Sequence, residues 1–168
     1  MANSTNCDPG RPRARRGPRR PRAWLGAFLA LALIEATTLF AAELPTVELA
    51  IKGHRLVAEV AANDSTRMTG LMNRFSLQPD RGMLFVFSAA QPQAFWMKNT
   101  YVPLSIAFIG SDGTILNIED MAPLTETTHP SRGPALYALE MKKGWFDQRG
   151  IKYGDSVSGL ERAPRARE

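Results

Sequence analysis

Residues 94–108, AFWMKNTYVPLSIAF, form a strongly apolar stretch broken by four consecutive polar or amphipathic side chains, Lys98, Asn99, Thr100 and Tyr101. Read as the end of a strand, the segment sends alternate side chains to opposite faces, so Phe95 and Met97 share one face and Trp96 and Lys98 the other. The apolar pair belongs to a core. The second pair sets a flat aromatic ring beside a cation, and Asn99 and Thr100 add hydrogen-bonding groups. Such a mixture suits a small polar or anionic ligand, a sugar or a carboxylate among them. A plainer reading stands beside it, in which Trp96 covers a core edge and Lys98 lays its stem across that edge with the charge in water.

Two further groups complete the candidate site. A buried Lys98 requires a carboxylate, and Glu140, in the apolar segment ALYALEM, is the expected partner. Arg67 and Arg74 are seven residues apart, about two helical turns, so they project from one helix face. Solvated helix charge is the default for both. The alternative is that Arg74, where the chain must turn back, reaches the site and grips an anion with both guanidinium nitrogens. The candidate ligand-binding set is therefore Trp96, Lys98, Asn99, Arg74 and Glu140, and no catalytic residue is assigned.

Other chemistries find less support. Beyond residue 42 there are only His54 and His129 and no cysteine, which gives no familiar metal-ligand set, so neither a metal nor another cofactor is expected. Six methionines follow Met1, but Met83, Met97 and Met141 sit inside apolar segments, where packing explains them better than copper. Ser105 and Ser111 lack the glycine-framed turn of a hydrolase nucleophile, and His129 stands in a proline-rich loop with no evident partner. No phosphate-cradling glycine loop occurs. A Lys98 and Glu140 acid–base pair is the one enzymatic arrangement left open.

The elements that must position these residues are mostly strands. TVELAI (46–51) and RLVAEVA (55–61) flank Lys52-Gly53-His54 and read as a hairpin. Met68, Leu71 and Met72 then follow helical spacing, predicting a short helix over 65–73 with Asn63 or Asp64 as its cap. Strands are predicted at 82–87, 93–97, 104–109, 115–121, 135–141 and 155–160, with Asp112-Gly113 as a tight turn and 122–134 as a long loop. The expected fold is mainly β, a single β-sandwich or partly closed barrel with one or two short helices, its strands joined by hairpins without parallel crossovers. The domain spans 43–161, and 162–168 is expected to be a loose charged tail.

Residues 1–42 read as a leader. Seven arginines crowd the first 22 residues, and a twelve-residue apolar run, AWLGAFLALALI, follows at 23–34. The run has the length of a signal-peptide core, and continuing it to Ala42 approaches a membrane span. A cleaved signal and an uncleaved anchor are thus both open, the membrane being reached only through this segment if it is retained. Either way the expectation is an exported, periplasmic or extracytoplasmic domain, tethered to the inner membrane in the second case. The leader also explains the net charge of +5: beyond residue 22 the chain has 14 Lys and Arg against 15 Asp and Glu. Scattered, balanced charge of this kind argues against a nucleic-acid partner. The lone Cys7 precedes the apolar run, so no disulfide is available beyond it.

The phrases TRMTGLMNR, GMLFVF, FWMKNTYVPLSIAF, DGTI, ALE and GIKYGDSV, in that order, resemble the family known as domain of unknown function 192 over about residues 46–158. The resemblance implies a mainly β, often exported domain and brings no established activity. Where the family pattern usually reads PLDIAF, this chain has Ser105, so no role that requires a carboxylate there transfers to it. The reading that results is an exported small-ligand-binding or envelope interaction module. A periplasmic enzyme using Lys98 and Glu140, and a structural accessory that docks on an envelope protein, are the alternatives.

Overall fold

The computed structural model describes residues 43–167. The leader reading, with its signal or anchor, lies outside the described residues. Among the described residues nine strands form in order: β1 Thr46–Ile51, β2 His54–Ala61, β3 Arg81–Gln91, β4 Ala94–Phe95, β5 Leu104–Ile109, β6 Ile115–Met121, β7 His129–Pro130, β8 Ala135–Lys142 and β9 Val157–Ser158. One α-helix, α1 Asp64–Thr69, lies between β2 and β3. Seven strands make one sheet in the order β6-β5-β8-β3-β2-β1-β9, and β4 and β7 make a small second one. The mainly β expectation holds.

The large sheet curls into a half-barrel. Thr114, beside β6, bridges Ser156, beside β9, so the two edges of the sheet meet at one end. Alternation then separates two cores. Val47, Leu49, Ala58, Leu84, Ala107 and Leu139 fill the concave side, sealed by Trp145 and Phe146. Met83, Phe85, Leu104, Ile106, Phe108 and Ala138 point to the convex side, where Leu71, Met97 and Phe95 cover them. Burying both faces explains why β5 is apolar at nearly every position and fully buried.

One topological expectation is corrected. β2 and β3 pair in parallel, with Glu59 opposite Met83 and Ala61 opposite Phe85. A parallel pair requires a crossover of a dozen or more residues, and 62–80, including α1, provides it. The helix is also shorter than 65–73. Asn63 caps it, accepting from the Thr66 N–H at 2.9 Å while Thr66 Oγ1 accepts from the Asn63 N–H at 3.2 Å. It ends at Gly70, whose φ is +48° and where an added Cβ would stand 3.2 Å from the Phe85 ring. Glycine therefore lets the helix end press directly onto the sheet.

The tail is not loose over its described length. Arg162 Nη2 donates to the Glu48 carbonyl at 2.5 Å, and the Arg167 N–H donates to the Ala62 carbonyl at 2.7 Å. The charged sequence concealed these bonds, because both use backbone carbonyls and leave no mark in side-chain pattern.

Candidate functional site

A cleft of about 650 Å³ runs over the convex face. One wall is α1 with its exit turn through Asn73, the other is β4 with the turn through Thr100, and Phe85, Phe87 and Glu140 supply the floor. Backbone bonds fix the two walls to each other. The Asn73 N–H donates to the Asn99 carbonyl at 2.9 Å, and both asparagines have positive φ, 60° and 54°. Asparagine is among the few residues that accept this conformation without a large steric penalty. A Thr100 N–H to Met97 carbonyl bond of 3.1 Å closes the reverse turn that carries Lys98 and Asn99. Asn99 thus has a backbone role whether or not it meets a ligand.

β4 is only two residues long, shorter than the predicted 93–97, yet the alternation continues past it. Met97 is fully buried, and Phe95 packs edge-on against Phe85 and Phe108 with ring centroids 4.9 and 5.7 Å away. That aromatic anchorage sends Trp96 and Lys98 outward together. Trp96 is 47% exposed, and Lys98 Nζ lies 5.3 Å from the centroid of its ring. At this exposure such a cation–π contact is worth about 0.5–1 kcal/mol.

Lys98 does not pair with Glu140. Its ammonium is half-exposed and sits 3.8 Å from Glu126 on the following loop. Exposure removes the need for a buried counter-ion, and a screened pair of this kind contributes about 0–1 kcal/mol.

Glu140 is the unusual group. It is 4% exposed, and no described donor hydrogen-bonds its carboxyl. Register explains its position. Glu59, Met83, Glu140, Ile106 and Glu119 form a continuous row across β2, β3, β8, β5 and β6 on the convex face. Both outer carboxylates are matched: Glu59 by Arg74, and Glu119 by His129 Nδ1 at 3.2 Å. The central one is left with apolar neighbours on either side. Burial penalises its charged form and pushes its pKa from 4.5 to about 8, so Glu140 is mostly protonated at neutral pH.

Arg74 is turned away from the cleft, correcting its expected place there. Its fork grips Glu59 bidentately, Nη1 to Oε1 at 2.5 Å and Nη2 to Oε2 at 2.6 Å. Its guanidinium meets Glu59 on β2, and Arg74 is not among the residues that line the cleft. Removing the arginine strands a half-buried carboxylate. Arg74→Ala is expected to lower stability by about 1–3 kcal/mol, read by urea denaturation, while ligand affinity stays within about twofold. Arg67 is the arginine that reaches the cleft. Nη1 donates to the Val86 carbonyl at 2.9 Å, Nη2 is paired with Asp64, and the guanidinium lies 5.9 Å from the Phe87 centroid.

Two features escaped the sequence. Gln93 contributes a buried Nε2 without a hydrogen-bond partner at the cleft wall. His129, expected to stand alone, has Glu119. A glutamate in each of the strands HRLVAEVA, ALYALEM and ILNIEDM, Glu59, Glu140 and Glu119, is the available sign, but it acquires meaning only once strand order is known.

Ser105 lies on the opposite face from Glu140, because it stands across from Met141. Its Oγ donates to Asp120 Oδ1 at 2.5 Å and accepts from the Gly144 N–H at 2.9 Å. The serine thus satisfies a local polar cluster, and its substitution for the family's usual aspartate leaves the convex cleft untouched.

The sequence pattern of the DUF192 family, described as an uncharacterized ACR, matches residues 47–159, and the chain belongs to that family. The crystal structures that resemble this one include two from bacteria. A candidate transcription regulator from Sinorhizobium meliloti 1021 is 39% identical, with a TM-score of 0.68 over 72% of this chain and 98% of that one. A protein of unknown function from Novosphingobium aromaticivorans DSM 12444 is 36% identical, with a TM-score of 0.64 over 68% and 86% of the two chains. No curated protein matches the chain.

Proposed function

We propose that the chain is an extracytoplasmic small-ligand-binding module whose convex cleft takes a polar or anionic molecule. The observation that carries the reading is the conjunction of Trp96 and Lys98 at the rim with an unpartnered carboxyl, Glu140, on the floor of one 650 Å³ cleft. That volume lies within the range of small-molecule sites, and buried polar groups without internal partners are costly unless a ligand or water engages them. Export is supported by the leader sequence alone. Among the described residues no helix is long and apolar enough to cross a membrane.

A thermal-shift screen of sugars, amino acids and carboxylates tests the reading. A ligand at a hundred times its dissociation constant should add about 2.7 kcal/mol of stability. Lys98→Ala should alter stability by less than about 1 kcal/mol yet weaken binding strongly. A broad panel without any shift would overturn the reading.

Docking on an envelope protein is favoured by a different observation. Phe75 is 81% exposed and stacks on Tyr101 with ring centroids 4.8 Å apart, outside the cleft lining. A nucleic-acid partner is disfavoured by the charge of residues 43–168, with 14 Lys and Arg and 14 Asp and Glu. An acid–base enzyme would need Glu140 and Lys98 to act on a shared substrate, since they form no ion pair; turnover abolished by Glu140→Gln without unfolding would support it.

A further inference from the structure

We infer that the ligand is a monocarboxylic acid bound as its anion, its apolar body lying against Phe85, Phe87 and Phe95 and its carboxylate accepting a hydrogen bond from the Glu140 carboxyl. The inference rests on the binding role proposed above and names the ligand class for the same cleft.

The shape of the site argues for one polar head and a long apolar remainder. Glu140 stands opposite Met83, and Phe87 is four residues further along β3, about 13 Å at roughly 3.3 Å per residue. Between them the floor is apolar, with Phe85 and Ala138 paired across the strands. Walls of Leu71 and Phe95 continue it. A sugar would present hydroxyls along that whole length with few partners to meet them. Of the described lining residues that carry polar side chains without a partner, Glu140 and Gln93 hold theirs away from solvent, whereas Asn73, Asn99 and the Trp96 indole stand exposed at the rim.

Charge selects an anion over an amine. The charged and titratable groups around Glu140 are Lys98 with Glu126, Arg67 with Asp64, Arg74 with Glu59 along the row on one side, and Glu119 with His129 on the other. Each nearby acid already has a basic partner, and the two cations lining the cleft are Lys98 and Arg67. A protonated Glu140 adds no charge and offers one O–H donor, suited to a carboxylate oxygen. An incoming amine would meet two cations and require Glu140 to ionise first. Burial, which raises the Glu140 pKa to about 8, keeps the donor in place through neutral pH.

The test is calorimetric titration of the full chain with 3-phenylpropanoate, 3-phenylpropanol and 3-phenylpropylamine, with amide chemical shifts locating the site. The acid should bind at least tenfold more tightly than either analogue. Its affinity should stay level from pH 5.5 to 7.5 and fall about tenfold per pH unit above about 8, as a single required proton is lost. Glu140→Gln keeps an N–H donor and should hold affinity within a few-fold with no fall up to pH 9.5, whereas Glu140→Leu should lose at least tenfold with an unchanged circular dichroism spectrum. If the alcohol or the amine binds in the cleft as tightly as the acid, the carboxylate inference is overturned while the binding role stands. If none of the three binds, the inference is overturned, and the binding role falls with it only if the broad thermal-shift panel is also blank.

Discussion

Replacing Glu140 with glutamine is expected to stabilise the ligand-free protein by about 3 kcal/mol at pH 7, at about 1.4 kcal/mol per pKa unit. The sign follows from the direction of the shift. The folded-state pKa of about 8 lies above the ordinary 4.5, so between those values the folded chain keeps a proton that the unfolded chain has released. Stability from this group is highest below the ordinary value, declines as pH rises through the window, and levels off above the folded-state pKa. Glutamine has nearly the same shape and no charge to desolvate, so it removes the decline. Urea denaturation at pH 5, 7 and 8.5 should show the two proteins converging at low pH and diverging upward. Parallel stability profiles would show that Glu140 is solvated or paired in solution.

Gly82→Ala is expected to destabilise the protein by about 3 kcal/mol or more, at the upper end of overpacking effects. Gly82 lies between Ala58 and Met141 in the concave face. An added Cβ would stand 2.3 Å from Met141 Sδ and 2.4 Å from the Glu140 carbonyl oxygen. A methionine side chain moves, but a backbone carbonyl held in a central ladder does not. Relief requires β8 to separate from β3 at the residue that presents Glu140 to the other face. The substitution should therefore lower the denaturation midpoint and also disturb ligand affinity, despite lying on the opposite side of the sheet. A stability loss below about 1 kcal/mol would mean that the strands part more easily than their pairing suggests.

The strands were legible because two-residue alternation and turn residues report local structure directly. Phe95 and Met97 inward, Trp96 and Lys98 outward, follows from one segment and needs nothing else. The parallel β2–β3 pair was hidden for the opposite reason. Its short α1 and irregular 70–80 segment supply a crossover without a long amphipathic helix to announce it. Site residues divide the same way. The Trp96 and Lys98 neighbourhood is local, whereas the partner of Arg74 and the isolation of Glu140 depend on which strands lie side by side. The sequence suggests Glu140 as a counter-ion for Lys98, whereas the sheet order places it between Met83 and Ile106.

The decisive measurement is site-resolved titration of the Glu140 side-chain carboxyl carbon by NMR, with and without 3-phenylpropanoate. A buried, unpartnered Glu140 should titrate with a midpoint near 8 in the free protein, moving upward with ligand because the bound anion favours the protonated acid. A midpoint near the ordinary 4.5, unmoved by ligand, would contradict it.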